Sequence, residues 1–263
     1  MEITLIQGIL IAILALIVGI DFWLEALFIF RPIIVSTLVG FILGDVKLGL
    51  ICGGLLELIF SGLTPAGGVQ PPNPILVAIM APVLAYSSGV ETKAAISLAL
   101  PFSFLMQYVI LFCYSSFSFF MKGADEAAEN GDVNGIYKLN IKLTLIIGIL
   151  YAVISFLSAY LAQDLMRQLV TSLPEWVTHA FGVVGGVLPA VGFAMLLKIL
   201  LKVEYTPYLI IGFLLATFNS FTNVLPIALV GLAMAIISFS NTHNGNNDNN
   251  SSNQEEEEFA DGI

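Results

Sequence analysis

The sequence predicts an all-α, polytopic membrane protein with about eight to ten membrane-inserted helices, some of them broken or re-entrant. Three observations carry this. Hydrophobic residues make up 58% of the 263-residue chain and charged residues only 11%, under half the share a soluble domain needs to cover its surface. Long stretches, such as Ala94 to Met121 and Leu143 to Gln163, contain no charge. Removed from water, such backbone must satisfy its own hydrogen bonds, which makes these stretches helices. Finally, glycine and proline interrupt several apolar runs at positions where a plain spanning helix has neither.

Taken in order, Ile3 to Ile20 reads as a first span, retained because no positive n-region precedes it and no small-residue cleavage site follows. Asp21, Glu25 and Arg31 flank the next turn, and Arg31 is expected to pair with Asp21 or Glu25. Ile33 to Gly44 is short. Leu48 to Val90 carries the single charge Glu57 and is broken in its middle. Lys122 to Lys142 is the largest polar loop, and its lysines, with Lys198 and Lys202, place both sites on the cytoplasmic side. Asp164 to Leu173 puts its apolar residues on one helical face, as an interfacial helix would. Tyr205 to Ser240 forms a final hairpin. Trp23 and Trp176, near run ends, read as interface anchors.

The domain reading is therefore a membrane-embedded region, residues 1–240, and a disordered acidic cytoplasmic tail, 241–263. That tail holds Asp248, Glu255 to Glu258 and Asp261, with almost no aliphatic side chains to offset chain entropy. The net charge of −10 and the lack of a basic patch exclude nucleic acid as a partner. Cys52 and Cys113 each sit alone in apolar runs, as small packing residues rather than a disulfide or metal pair. The chain shows no nucleophile–histidine–acid set, no phosphate-cradling loop and no metal cluster, so neither catalysis, a cofactor nor a metal is expected of it.

Three segments carry functional information. In Gly40 to Glu57, glycines at 40, 44, 49, 53 and 54 form a small-residue stripe against which another helix can pack closely. Glu57 lies deep in apolar sequence, where a carboxylate needs a partner, a cavity or a substrate; stapling helices is the plainer role, and protonation another outcome. In Ser61 to Pro74, four prolines and Gly67-Gly68 make a non-helical element, and Thr64, Gln70 and Asn73 add neutral donors and acceptors suited to sugar hydroxyls. The third, Gly182 to Gly192, echoes the second: Gly67-Gly68-Val69-Gln70-Pro71 against Gly185-Gly186-Val187-Leu188-Pro189. Paired interruptions of this kind suggest an inverted repeat.

The run Gly40, Gly44-Asp45, Gly49-Leu50-Ile51, Gly53-Gly54, Glu57 resembles the signature of the IIC components of mannose-type (mannose–fructose–sorbose) sugar phosphotransferase permeases. The opening MEITLIQ, Phe30 to Pro32 and the GADEAAENGD stretch from Gly123 are similar to the same family. Within it, GIDFWLEALFIFRPII, GLTPAGGVQPPNP, LPFSFLMQYVILF and EEEEFADGI resemble the members for N-acetylgalactosamine or galactosamine. The resemblance implies a non-catalytic translocation subunit of the inner membrane. It would pair with a IID membrane chain, assemble as a trimer of IIC–IID pairs with an elevator-like core, and deliver an amino sugar to the phosphocarriers IIA and IIB. The expected sugar contacts are Glu57, Thr64, Gln70 and Asn73, beside the Gly67-Gly68 backbone. A proton-coupled symporter using Glu57 and a membrane scaffold or receptor are the alternatives.

Overall fold

The computed structural model describes residues 2–62, 72–161, 168, 172–218 and 224–240, and every secondary-structure element among them is helical. Four helices or helical runs are long and apolar enough to cross a membrane: Leu5–Leu24, Thr92–Glu129, Val133–Leu161 and Glu175–Leu200. The shorter apolar helices are Pro32–Leu43, Pro74–Ser88, Val203–Phe218 and Leu225–Ser240. The interfacial helix expected at Asp164 to Leu173 and the tail 241–263 lie outside the described residues, apart from Gln168, Ser172 and Leu173. The chain divides into two compact units, Met1–Ile199 and Leu200–Ile263.

In the first unit, α1 (Leu5–Leu24) starts on a capping box in which Thr4 and Gln7 satisfy each other's backbone amides. It ends at Glu25, which takes the left-handed conformation at φ 48°. Asp21 departs from expectation: its buried carboxylate accepts from Leu27 N and Ile29 N, both at 2.7 Å, and so closes the turn after α1. Nearness in sequence suggested Arg31 as its partner, but two unpaired amides already claim its oxygens. Replacing Asp21 with alanine leaves those amides orphaned. The expected cost is about 1–3 kcal/mol per amide that water cannot reach, read as a lower unfolding midpoint in detergent; an unchanged midpoint would show the turn holds without it.

Helices α2 (Pro32–Leu43) and α3 (Val46–Phe60) form a hairpin of half-length arms. At 1.5 Å per residue their 12 and 15 residues reach about 18 and 22 Å, short of a bilayer core of about 30 Å. Gly44, at φ 87°, ends α2, and the Asp45 side chain caps α3 by accepting from Leu48 N. The expected close packing is between these two arms. A Cβ on Gly40 would lie 2.7 Å from Gly49 Cα, and one on Gly53 would lie 2.8 Å from Ile33 Cα. Gly54 faces open space.

Helix α4 (Pro74–Ser88) is buried almost all round, from Ile75 to Ala85, as a helix apolar on every face must be when it occupies the centre. Pro82 within it removes one amide and so frees the carbonyl four residues earlier. Ser36 Oγ of α2 donates to that carbonyl, Ala78 O, at 2.7 Å.

Helix α5 (Thr92–Phe117) runs on through a 3-10 turn into α6 (Met121–Glu129), and α7 (Val133–Phe156) follows after a tight turn at Gly131, φ 65°. The polar loop expected at Lys122 to Lys142 is therefore a helical hairpin. Its alanines and glutamates are strong helix formers, and Asp132 caps α7 by accepting from Gly135 N. Trp23 is half-buried between Tyr114 and Phe117, in an aromatic cluster.

Helix α8 (Glu175–Leu200) also corrects an expectation. The Gly182 to Gly192 segment is not interrupted; it runs inside one continuous helix that contains Pro189. Its glycines serve contact instead. Gly185 passes over Lys93 O, and Gly192 over the Leu58 and Ile59 carbonyls, with no room for a Cβ at either. In the second unit, α9 (Thr206–Phe218) and α10 (Leu225–Ser240) line a cavity of about 590 Å³ with Tyr208, Leu215, Val230 and Met234 among its walls.

Candidate functional site

Glu57 sits in the last turn of α3, and Arg31 immediately precedes Pro32 at the start of α2. The antiparallel hairpin brings them together. Glu57 Oε1 accepts from Arg31 Nε at 2.7 Å and from Arg31 Nη2, while Oε2 accepts from Ile33 N at 3.3 Å. Ile33 N is one of the amides that the first turn of α2 cannot satisfy itself. The carboxylate is thus held by a guanidinium and by the positive end of a helix at once. Neither side chain is sealed off: Arg31 is 44% exposed and Glu57 23%.

Asn73 is placed differently. It caps α4 through Oδ1, which accepts from Ile75 N at 3.1 Å and Leu76 N at 3.3 Å. Its Nδ2 donates to Tyr151 Oη of α7 at 2.5 Å. Its backbone is tied to α5: Asn73 N donates to Ser103 O, and Ser103 Oγ donates to Asn73 O at 2.7 Å. All four of its polar groups are engaged within the protein, and the residue is 1% exposed. Glu57 and Asn73 share no hydrogen bond; each belongs to a separate set of partners. Thr64, Gly67, Gly68 and Gln70 lie outside the described residues.

Tyr151, Ser103 and Ser36 were not among the residues singled out from sequence. Each is one hydroxyl in an apolar helix, and periodicity does not say which distant backbone group it meets. The Arg31–Glu57 pair did have a signal. Arg31 stands thirteen residues before Gly44 and Glu57 twelve after Asp45, so a hairpin turning at Gly44-Asp45 sets them side by side.

Full-length and half-length apolar helices, with an Arg31–Glu57 ion pair joining two of the short ones, mark a polytopic membrane protein. The family model described as the PTS system sorbose-specific IIC component matches residues 5–237. The chain belongs to that family, the sugar-specific IIC permease components of the phosphotransferase system. It is 57% identical over 240 residues to the N-acetylgalactosamine permease IIC component 1 of Escherichia coli K12, covering 91% of this chain and 90% of the relative. It is 30% identical over 238 residues to that strain's mannose-specific EIIC component, covering 90% and 89%. Among solved structures, one described as a membrane protein superposes with a TM-score of 0.83 at 29% identity, over 91% of this chain and 97% of that one. The mannose transporter ManYZ in complex with microcin E492 does so with a TM-score of 0.59 at 30% identity, over the same shares. The family membership gives no support to the symporter and scaffold alternatives.

Proposed function

We propose that this chain carries N-acetylgalactosamine or galactosamine across the bacterial inner membrane, as the non-catalytic translocation subunit of its permease. The single observation that carries the reading is what flanks the Pro/Gly-rich segment in the chain. Residues 63–71 join the Glu57 end of one half-length helix to the deeply buried, Asn73-capped start of another. Half-helix ends are where transporters gather polar groups for a substrate. Glu57 accepts from sugar hydroxyls; Thr64 and Gln70 donate and accept beside the Gly67-Gly68 backbone; Asn73 bounds the site. The choice of an amino sugar follows the 57% identity to the N-acetylgalactosamine relative.

The partners proposed are a IID membrane chain, in a trimer of IIC–IID pairs, and the phosphocarriers IIA and IIB. The pairing with a second membrane chain is supported by likeness to the ManYZ transporter. Residues 1–240 form the membrane region, and 241–263 an acidic tail on the cytoplasmic side, where phosphorylation traps the sugar by charge.

The test is uptake of radiolabelled N-acetylgalactosamine into cells making this chain with IID, IIA and IIB. Accumulated sugar phosphate that disappears when IIB is omitted is the expected result. Free sugar inside, indifferent to IIB and lost with an uncoupler, would overturn the reading.

A further inference from the structure

Helices α1 and α7 pack antiparallel. A Cβ on Gly148 would lie 2.7 Å from Ile20 Cγ1, and one on Gly19 would lie 2.5 Å from Tyr151 Cδ2. Thr144, buried one turn before Gly148, continues that face of α7. Helix α1 ends at Leu24, one turn past Ile20, and so about level with Thr144. Helix α7 extends further. Followed back in steps of three and four residues, the same face runs through Ile141 and Tyr137 to Val133. Among the described residues nothing covers it there. Val133 is 76% exposed and Tyr137 65%, and Ile136 beside them is exposed as well.

This part of α7 stands outside the bilayer. Lys142 Nζ lies 4.9 Å from the centre of the Phe120 ring, at the end of the uncharged run Ala94 to Met121. That sets the base of the α6–α7 hairpin at the membrane edge. From Lys142 to Val133 the helix rises about 14 Å at 1.5 Å per residue. A headgroup layer is only about 5–8 Å deep on each side. The upper part of this face therefore meets water, and apolar side chains grouped in water mark a contact surface. The tip beside them is acidic. Asp125, Glu126, Glu129 and Asp132 surround the turn, and Lys138 lies nearer the membrane. Lys122 pairs with Glu126 at 3.9 Å, while Asp125, Glu129 and Asp132 form no ion pair among the described residues.

The patch is small. Three side chains offer far less than the roughly 800 Å² that each partner of a stable complex buries. That suits a soluble protein that binds briefly and leaves, rather than a permanent membrane subunit. The acids steer in a partner whose own contact surface is basic.

We propose that the α6–α7 hairpin is the docking site for the soluble phosphocarrier IIB, which sets an apolar spot ringed by basic residues on Val133, Ile136 and Tyr137. This rests on the reading above that the chain serves a phosphotransferase permease, with the hairpin's lysines on the cytoplasmic side. A carrier used once per sugar has to dock and leave, and a small, charge-steered contact allows both.

The experiment uses inside-out membrane vesicles holding this chain and IID in measured amounts, with IIA and its phosphoryl donor in excess and IIB titrated. Formation of N-acetylgalactosamine phosphate is followed for the wild type, for Val133→Ser with Tyr137→Ala, and for Asp125→Asn with Glu129→Gln. The apolar variant is expected to raise the half-saturating IIB concentration about tenfold, as truncation of an interface aromatic does. Its rate at saturating IIB stays near wild type. The charge variant raises half-saturation a few-fold at low salt and matches the wild type at high salt. Unaltered half-saturation in the apolar variant overturns the proposal, whatever the charge variant does. So does loss of IID from the apolar variant's complex with unaltered half-saturation, which assigns the patch to the membrane partner. If the wild type forms no sugar phosphate at any IIB concentration, the permease reading fails by itself. Flotation of IIB with the same vesicles then decides the docking, and equal flotation with wild type and Tyr137→Ala overturns it.

Discussion

Gly49→Ala is expected to destabilise the protein strongly, while Gly54→Ala, five residues along the same helix, is expected to be neutral or stabilising. Taken alone, α-helix propensity favours alanine over glycine at both positions by about 1 kcal/mol. Packing separates them. At Gly49 a Cβ would lie 2.8 Å from Gly40 Cα and closer to Ser36 O, and both neighbours are backbone of α2. No rotamer change relieves that overlap, so the hairpin arms must part. Overpacking of a tight interior costs about 1–3 kcal/mol even where side chains can move. Here the cost falls on the whole α2–α3 interface, including Gly53 against Ile33 and the Arg31–Glu57 pair at its open end. At Gly54 the Cβ meets nothing within 4 Å. Unfolding midpoints of the purified chain in detergent test the pair. Equal midpoints for Gly49→Ala and wild type would mean the arms are not in backbone contact.

The same hairpin shows how much could be read in advance. Its existence, its turn and the glycine stripe were legible in Gly40 to Glu57, because close helix approach demands small residues at helical spacing. The stripe does not show that its glycines divide their tasks: 40, 49 and 53 admit a neighbouring backbone, 44 takes a left-handed conformation, and 54 touches nothing. The helical nature and order of the apolar runs were legible as well, since hydrocarbon leaves the backbone no other choice.

What misled was local chemistry. Lys122 to Lys142 is polar, and polarity suggested a loop; its residues are helix formers, and a helix can be polar throughout when it carries its own caps and charge pairs, such as Lys122 with Glu126. Gly182 to Gly192 looked broken, yet glycine and proline inside a membrane helix also serve close packing, as Gly185 and Gly192 do. Of the candidate site, Glu57 was legible as an anomaly, a charge in an apolar run. Its partner was assigned by nearness in sequence, to Asp21 or Glu25 with Arg31, when the hairpin's equal arms select Glu57. Asn73 was read as a sugar contact able to donate and accept; its side chain caps α4, because Pro74 begins a helix directly behind it, and donates to Tyr151.

Arg31→Ala and Glu57→Gln are each expected to lower both the amount of folded protein and sugar uptake, and the paired variant Arg31→Met with Glu57→Gln separates the two effects. Removing one partner of a buried ion pair costs up to about 3–5 kcal/mol, because the charge left behind has lost its compensation. Arg31 and Glu57 are 44% and 23% exposed, so the cost is smaller wherever the freed group reaches water. Replacing both charges removes that penalty. Glutamine retains an oxygen for Ile33 N, and methionine keeps an unbranched stem against the helix end. Folded protein is therefore expected to recover in the double variant. Uptake is not, because an amide oxygen is a weaker acceptor for sugar hydroxyls than a carboxylate. A double variant that folds and transports like wild type would make Glu57 a staple between helices and move the sugar contacts wholly to residues 64–73. One that folds and fails to transport places the carboxylate in the sugar's path.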